Sequence, residues 1–288
     1  MEFKFDKTKY GRELLIDCGR ITYTEDFVTD RKPFLTDFHE IIILTKGKGV
    51  FKLDQEEVPF QPGTILLLPP NRYRFWEVIE EEIDGYFLIF EEEFIARFFN
   101  DALFLYRFHY FYDIDNPSYI QASDDFAQNL LDKFQEVRNE LPNLQEDSDH
   151  LLRAQLYYIL IQLNRAYKNA FDLRSTFFKD HLTLKFRRYL ELHIRKEHNV
   201  AQYADYLQVS KSHLNKTLKI HFGKSSSELI KDRLVVEIKR ELLYSEKSIS
   251  EISHELSFSE PSNLNRFFRE RTSFTPGEYR QLNLKKQI

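Results

Sequence analysis

The stretch Val200-Ala-Gln-Tyr-Ala-Asp-Tyr-Leu-Gln-Val-Ser-Lys-Ser-His-Leu-Asn-Lys-Thr-Leu-Lys-Ile-His-Phe-Gly223 decides the fold, because the chain repeats its pattern further on. The second copy is Ile249-Ser-Glu-Ile-Ser-His-Glu-Leu-Ser-Phe-Ser-Glu-Pro-Ser-Asn-Leu-Asn-Arg-Phe-Phe-Arg-Glu-Arg-Thr-Ser273. Each copy predicts a short amphipathic helix, a tight turn and a serine-capped helix with a polar, basic outer face. This is the plan of a helix-turn-helix unit, whose second helix enters the major groove of DNA.

The two copies agree at the positions that such a unit must bury. One copy has Val200, Ala204, Leu207, Val209, Leu214 and Leu218, and the other has Ile249, Ser253, Leu256, Phe258, Leu264 and Phe268. One extra residue in the second turn accounts for the change in offset between Ser210/Ser259 and Leu214/Leu264. A single copy is as easily explained by plain helical packing. A matched repeat favours two DNA-reading units.

A helix is predicted between the copies, over residues 226–244. Its apolar residues fall at helical spacing, with charged residues outside: Leu229, Ile230, Leu234, Ile238 and Leu242. Its expected length is roughly 30 Å. That is close to the roughly 34 Å between successive major grooves on one face of B-DNA.

The residues that follow the repeat carry a family resemblance. Leu256-Ser-Phe-Ser259, Leu264-Asn-Arg-Phe-Phe-Arg269 and Phe274-Thr-Pro-Gly-Glu-Tyr-Arg280 resemble the signature of the AraC/XylS class of bacterial transcriptional regulators, over about residues 178–282. Ser257 and Ser273 depart from it, since glycine is usual at both places in the family. A serine there is expected to strain a helix terminus.

Charge is distributed unevenly between the two parts of the chain. The net charge of −5 combines 21 Lys and Arg against 14 Asp and Glu in residues 178–288 with 20 against 32 in residues 1–177. The second part is therefore at +7 and the first at −12. The basic part is expected to meet a polyanion. The lone Cys18 excludes a disulfide framework, and we expect neither a signal peptide nor a membrane span.

Short β-rich runs separated by turn residues occupy the first 90 residues and favour a barrel or sandwich. They are 14–17, 41–44, 50–53, 64–68 and 86–90. The order His39-Glu40, Gly47-x-Gly49, Pro62-Gly63 and Pro69-Pro70 resembles the cupin-type sensing domain found ahead of many AraC-class DNA-binding domains.

The cupin resemblance raises the question of a metal site. With Glu40 as the metal-binding glutamate of that family, Phe34, Thr36 and about Arg74 stand where its histidines would be. One carboxylate without imidazole partners does not make a stable transition-metal site. His39 would point to the other face of its strand and is interpreted as a structural or surface residue.

A small-molecule cavity is the alternative to a metal. Arg74 and Trp76 would face inward with Glu40, where a cation beside an indole suits an anionic or sugar-like ligand. In the competing interpretation Trp76 only fills the barrel and Arg74 pairs with Glu40 or another acid. Both interpretations stay open.

Beyond the strands the pattern becomes helical. Residues 91–99 read as a helix start, 104–112 as a strand or packed loop, and 124–140 and 150–169 as helices. The last of these is expected either to complete the core or, as the resemblance implies, to pair with a second copy. A helix over 182–196 opens the basic part.

Base and phosphate contacts are expected near the start of each recognition helix. In the first unit they are Lys211, Ser212, His213, Asn215 and Lys216, and in the second Ser262, Asn263, Asn265, Arg266 and Arg269. Arg266 is the preferred guanine reader and Arg269 a phosphate contact. Ser259 is expected to cap the second recognition helix, and Glu260 to weaken its contact with DNA.

The sequence thus predicts an α+β multidomain chain with an N-terminal cupin-like β-barrel followed by helices and a C-terminal all-α tandem helix-turn-helix domain. The predicted parts are a sensing domain (1–115), a helical dimerisation region (116–170), a linker (171–181) and the DNA-binding domain (182–288) with units at 200–223 and 249–273.

The leading hypothesis is a cytoplasmic, effector-responsive transcription factor that is not an enzyme. Its expected partners are double-stranded DNA, an unidentified small molecule, a second copy of the chain and RNA polymerase. No cofactor, metal or membrane is expected. The alternatives are a metal-dependent cupin enzyme with a regulatory tail and a ligand-independent DNA-binding dimer.

Overall fold

A computed structural model describes residues 2–22, 26–29, 32–79, 82–99, 103–112, 116–173 and 181–284. The chain divides into two compact units, residues 1–177 and 178–288. Most of the expected linker, residues 174–180, lies outside the described ranges. Within those ranges no helix combines the length and the apolar character that crossing a membrane requires.

The first unit begins with β-strands, in agreement with the sequence. They are β1 (Glu2–Phe3), β2 (Ile16–Thr22), β3 (Leu35–Thr36), β4 (His39–Lys46), β5 (Gly49–Leu53), β6 (Glu56–Phe60), β7 (Thr64–Leu68), β8 (Arg74–Val78), β9 (Asp84–Phe90) and β10 (Tyr119–Gln121). Five form the antiparallel sheet β10-β7-β4-β9-β2, and three form the antiparallel sheet β6-β5-β8. Pro59 is accommodated because β6 is an edge strand.

The helices of this unit are α1 (Asp26–Thr29), α2 (Glu92–Phe99), α3 (His109–Tyr112), α4 (Asp124–Glu140) and α5 (Ser148–Ala170), with 3-10 turns at Leu105–Arg107 and Leu141–Asn143. The prediction of a strand or loop over residues 104–112 is wrong, because this aromatic run forms a 3-10 turn and α3. Its side chains are buried against α5, where the Tyr110 hydroxyl donates to the Leu160 carbonyl at 3.1 Å.

Strand β4 separates two hydrophobic cores. Ile41 and Ile43 belong to the core shared with α4 and α5, whereas Ile42 and Leu44 belong to the core between the two sheets. This division follows from the alternation of side chains along a strand. The expected helical region 116–170 therefore completes the same unit as the sheets.

The second unit is all-α, as expected. Its helices are α6 (His181–His193), α7 (Val200–Tyr206), α8 (Lys211–Phe222), α9 (Ser226–Tyr244), α10 (Ile249–Glu255), α11 (Pro261–Thr272) and α12 (Pro276–Leu284). Helices α6 to α12 share one core, in which Ala204, Leu214, Leu218, Leu264 and Phe268 are buried. Other positions matched between the repeats are partly buried against it: Val200, Leu207, Val209, Ile249 and Phe258. Helix α9 has the bounds predicted from the sequence.

Candidate nucleic-acid interface

The first helix-turn-helix unit consists of α7 and α8. A capping box between Asn199 and Gln202 starts α7, and the Ser210 hydroxyl starts α8 by accepting from the His213 amide at 3.1 Å. Gln208 in the turn has φ 56°, and Gly223 ends α8 with φ 69°. A serine side chain therefore defines the start of the first recognition helix, and the left-handed backbone of a glycine defines its end.

The second unit, α10 and α11, repeats this geometry. A capping box between Ser248 and Glu251 starts α10. Ser257 has φ 54° in the turn and Ser273 has φ 66° after α11, at the positions that Gln208 and Gly223 hold in the first unit. Both serines thus occupy left-handed backbone, where a side chain adds strain. This confirms the expectation for the two places that depart from the family pattern.

The cap assigned to α11 from the sequence is wrong. Helix α11 starts at Pro261 as expected, but its N-cap is Glu260, whose side chain makes no capping hydrogen bond. The Ser259 hydroxyl instead accepts from the side-chain amide of Asn263 at 2.8 Å. Because Ser259 stands one residue too early, it cannot reach the first free amides of the helix.

The outer face of α8 carries the residues predicted to contact DNA in the first unit. Lys211, Ser212, His213, Asn215 and Lys216 are all exposed, whereas Leu214 and Leu218 are fully buried. Asn215 has a further role, since its side-chain oxygen accepts from the Ser226 amide at 3.0 Å. It thereby holds the start of α9 against α8. Free pairing with an adenine edge would require that same oxygen.

The second unit presents a similar surface. Ser262, Arg266 and Arg269 on α11 are exposed, and Asn263 and Asn265 are half-buried. The Asn265 amide donates to the Pro261 carbonyl one turn earlier, at 3.0 Å. The guanidinium of Arg266 lies 3.4 Å from the Asn263 side-chain oxygen, which orients it along the exposed face.

Two exposed residues of α8 were not selected from the sequence, namely Lys219 and Ile220. Both lie on the same outer face as Lys216, because residues three and four apart share a helix face. Continuing the four-residue spacing beyond the first two turns would have identified Ile220.

A buried cluster of charged side chains holds α9 in place between the two helix-turn-helix units. The side chain of Glu237 is 1% exposed and pairs with Arg195 at 2.5 Å, Arg233 at 3.1 Å and Arg240 at 2.5 Å. Arg195 extends the cluster to Glu241 on α9 and Glu255 on α10. Burial, the largest single influence, raises the pKa of Glu237, but the three arginines together outweigh it and the pKa lies below its ordinary value. Glu237 is therefore charged at neutral pH.

In the N-terminal compact unit, residues 1–177, the candidate effector residues are close together. Arg74 is fully buried and pairs with Glu40 at 2.5 Å, and its guanidinium also donates to the Pro69 carbonyl at 3.0 Å. Burial is the main influence on both side chains, raising the pKa of Glu40 and lowering that of Arg74 to about 10. Trp76 is 1% exposed and packs against Phe51 and Phe60. The ion pair between Arg74 and Glu40 and the packed Trp76 are what the interpretation without a ligand predicted.

His39 is a structural residue, as one of its two interpretations predicted. It is 2% exposed, stacks on Phe90 and lies 3.0 Å from the Tyr112 hydroxyl. Burial, together with the charge of Arg74, lowers the pKa of His39 to about 3. The described part of the chain contains no group of three or more His, Cys, Asp or Glu side chains that could hold a metal ion.

The two compact units of the chain, residues 1–177 and 178–288, each match a known protein family. Residues 203–282 match a family described as "Helix-turn-helix domain", and residues 18–160 match one described as "AraC-like ligand binding domain". These matches coincide with the α7–α12 bundle and with the sheets, α4 and most of α5.

Curated relatives are transcriptional regulators. An uncharacterized HTH-type transcriptional regulator of Staphylococcus aureus is 25% identical over 195 residues, which are 67% of this chain and 25% of the relative. The chain thus matches about a quarter of the length of that relative. The HTH-type transcriptional activator RhaS of Enterobacter sp. is 19% identical over 245 residues, 85% of this chain and 86% of the relative.

Solved structures include similar chains. ToxT from Vibrio cholerae is 15% identical, with 93% of this chain and 98% of ToxT covered at a TM-score of 0.42. The DNA-binding domain of AdpA in complex with a target DNA is 21% identical, with 38% and 96% covered at a TM-score of 0.34. On its matches to the ligand-binding and helix-turn-helix families, this chain belongs to the AraC class of transcriptional regulators.

Proposed function

We propose that the chain is a sequence-specific DNA-binding transcriptional regulator that responds to a small-molecule effector. One observation carries the proposal: α9 joins two helix-turn-helix units of matched backbone geometry, and each presents exposed cations at the same helical positions. Lys216 corresponds to Arg266, and Lys219 corresponds to Arg269. The 19 residues of α9 give it a length of about 28 Å. The proposed target is therefore two successive major grooves on one face of a duplex.

The ten residues predicted to contact DNA divide by chemistry. The exposed cations Lys211, Lys216, Arg266 and Arg269 supply contacts to guanine and phosphate. Ser212, His213, Ser262 and Asn263 supply shorter polar contacts beside them. Asn215 and Asn265 offer an amide edge, while the Asn215 oxygen also accepts from the Ser226 amide of α9 and the Asn265 amide also donates to the Pro261 carbonyl.

Selection of bound duplexes from a random pool by the full chain tests the proposal. We expect a motif with two short blocks about 10 base pairs apart, and an affinity that falls steeply as salt rises. Enrichment of no motif, with only weak salt-sensitive binding left, would contradict sequence-specific regulation.

For the effector we propose the region of Glu40, Arg74 and Trp76 in the first unit. Its support is the Nε of the fully buried Arg74, which has no hydrogen-bond partner among the described residues. An anionic or sugar-like ligand would compete for this cation. Trp76 is the only tryptophan of the chain, so its fluorescence reports on this site alone. A ligand that stabilises the protein without altering Trp76 emission would place the effector elsewhere.

For assembly we propose a homodimer formed through α5. Leu151 and Tyr158 are seven residues apart on one face of α5, and each is 47% exposed. Sedimentation of Leu151→Lys and Tyr158→Lys should show monomers where the unchanged chain shows dimers. Dimers in both variants would contradict this interface.

We further propose a cytoplasmic site of action, contact with RNA polymerase at the promoter and no catalytic role.

A further inference from the structure

Ile220 is out of place on the surface of α8. It is 71% exposed, and no large apolar side chain described in residues 181–284 is more exposed. Keeping an isoleucine in water forgoes the free energy that burying its side chain would release. A surface partner that removes Ile220 from water would release that energy.

The position of Ile220 indicates which surface it serves. It follows Ser212 by eight residues and Lys216 by four, so all three lie on one face of α8, with Lys219 beside them. Leu214 and Leu218 are buried on the opposite side. Ile220 therefore belongs to the face proposed to enter the major groove.

The second recognition helix shows what is particular about Ile220. Ser212, Lys216 and Lys219 have chemical equivalents in Ser262, Arg266 and Arg269 of α11. At the next position the match ends, because Ile220 corresponds to the exposed Glu270. The two faces thus share a polar and cationic beginning and differ in the chemistry of their third turn.

The major groove offers one apolar feature to an isoleucine, the C5 methyl group of thymine. Phosphates and the other base edges are polar and would leave Ile220 without a partner. Lys216 and Lys219 beside it favour a polyanion over a protein surface of mixed charge. The distance from Ser212 to Ile220 along α8 is about 12 Å, and readers spread over two turns of one helix are known in DNA recognition.

We propose that Ile220 packs against the C5 methyl group of a thymine and so selects that base in the half-site read by the first unit. The proposal rests on the proposed function, because it requires that α8 lies in the major groove.

Removing only the methyl group tests the proposal. In the selected duplex, each thymine in turn is replaced by deoxyuridine, and affinities are measured for the full chain and for Ile220→Ala. We expect one replacement to weaken binding by the unchanged chain about fourfold, as the loss of one buried methyl group implies. Ile220→Ala should bind the thymine duplex about tenfold more weakly and should not discriminate between the two bases at that position.

Ile79→Ala is the matched control, since Ile79 is a similarly exposed isoleucine, at 73%, that lies outside the DNA-binding helices, in residues 1–177. It should keep both the affinity and the methyl sensitivity of the unchanged chain. A duplex in which no thymine is methyl-sensitive, or in which the sensitivity persists in Ile220→Ala, overturns the role of Ile220 and leaves the proposed function intact. If no duplex is selected at all, the proposed function itself fails.

Discussion

At the scale of single residues, the two helix-turn-helix units show how one backbone conformation is met by different side chains. The residue after each recognition helix is left-handed, Gly223 with φ 69° and Ser273 with φ 66°. Glycine adopts this conformation readily, whereas a residue with a Cβ pays about 1–2 kcal/mol for it. At this position the second helix-turn-helix unit therefore carries backbone strain that the first avoids.

Exchanging these two residues should shift stability in opposite directions. Ser273→Gly should raise the free energy of unfolding by about 0.5–1 kcal/mol, and Gly223→Ser should lower it by about 1 kcal/mol. A Cβ at Gly223 would meet no atom within 4 Å, so the second effect comes from the backbone alone. Urea unfolding of both variants measures the difference. Equal shifts of the same sign would contradict the strain.

Arg266 is the residue on which specific recognition by the second unit should depend most. It is exposed and oriented by Asn263. Arg266→Ala should cost about 1–3 kcal/mol on the selected duplex and relax the preference for guanine at one position.

Arg271→Ala is the matched control for Arg266→Ala. It removes the same charge from the same helix, but the Arg271 guanidinium pairs with Asp232 of α9. Its base preference should be unchanged. An unaltered affinity and preference in Arg266→Ala would refute its assigned role.

At the scale of elements, α9 determines how the two units are held. It is contacted by Asn215 of α8, which bonds to Ser226, and by Glu191 of α6, which pairs with Arg233. It is also contacted by Arg195 from the turn after α6 and by Arg271 of α11. Glu237 lies at the centre of the cluster, so its charge is needed to balance Arg195, Arg233 and Arg240. Loss of one partner from a buried pair costs more than the pair itself contributes.

The stabilisation from Glu237 should depend on pH. Its pKa is lowered by folding, so its contribution is present above its ordinary pKa of 4.5 and is lost as the pH falls through the lower folded value. At pH 7, Glu237→Gln should lower the free energy of unfolding by about 3 kcal/mol, and the difference from the unchanged chain should shrink below about pH 4.5.

Urea unfolding at pH 7 and below pH 4 measures this difference. Glu246→Gln, which changes an exposed glutamate of the same unit, should have little effect at either pH. A Glu237→Gln effect of the same size at both pH values would contradict the linkage.

Elements with local signals were predictable from the sequence. Helices α4 and α9 have the expected bounds because their signals are local: an N-cap serine directly before each helix, Ser123 and Ser225, and apolar spacing along it. Residues 104–112 were misassigned because their aromatic side chains form helical turns only against α5, which is distant in the sequence. The bond from Asn215 to Ser226 and the cluster around Glu237 join side chains of different helices, and neither leaves a periodic pattern in the sequence.

At the scale of the whole molecule, charge and fold separate in the same way. The acidic residues 1–177 contain the sheets with the AraC-like ligand-binding family match, and the basic residues 178–288 contain both helix-turn-helix units. We propose that residues 1–177 bind the effector and that residues 178–288 bind DNA. In this proposal, α9 holds the two recognition helices at one fixed spacing.

The most direct test of that claim is the affinity of the full chain for its selected duplex with 5 or 10 base pairs inserted between the two blocks. Five base pairs turn the second block to the opposite face, and ten place it a full turn too far for α9 to span. We expect both insertions to weaken binding about a hundredfold or more, to the level of a duplex with a single block. Unchanged affinity for either inserted duplex would contradict a rigid pair of recognition helices.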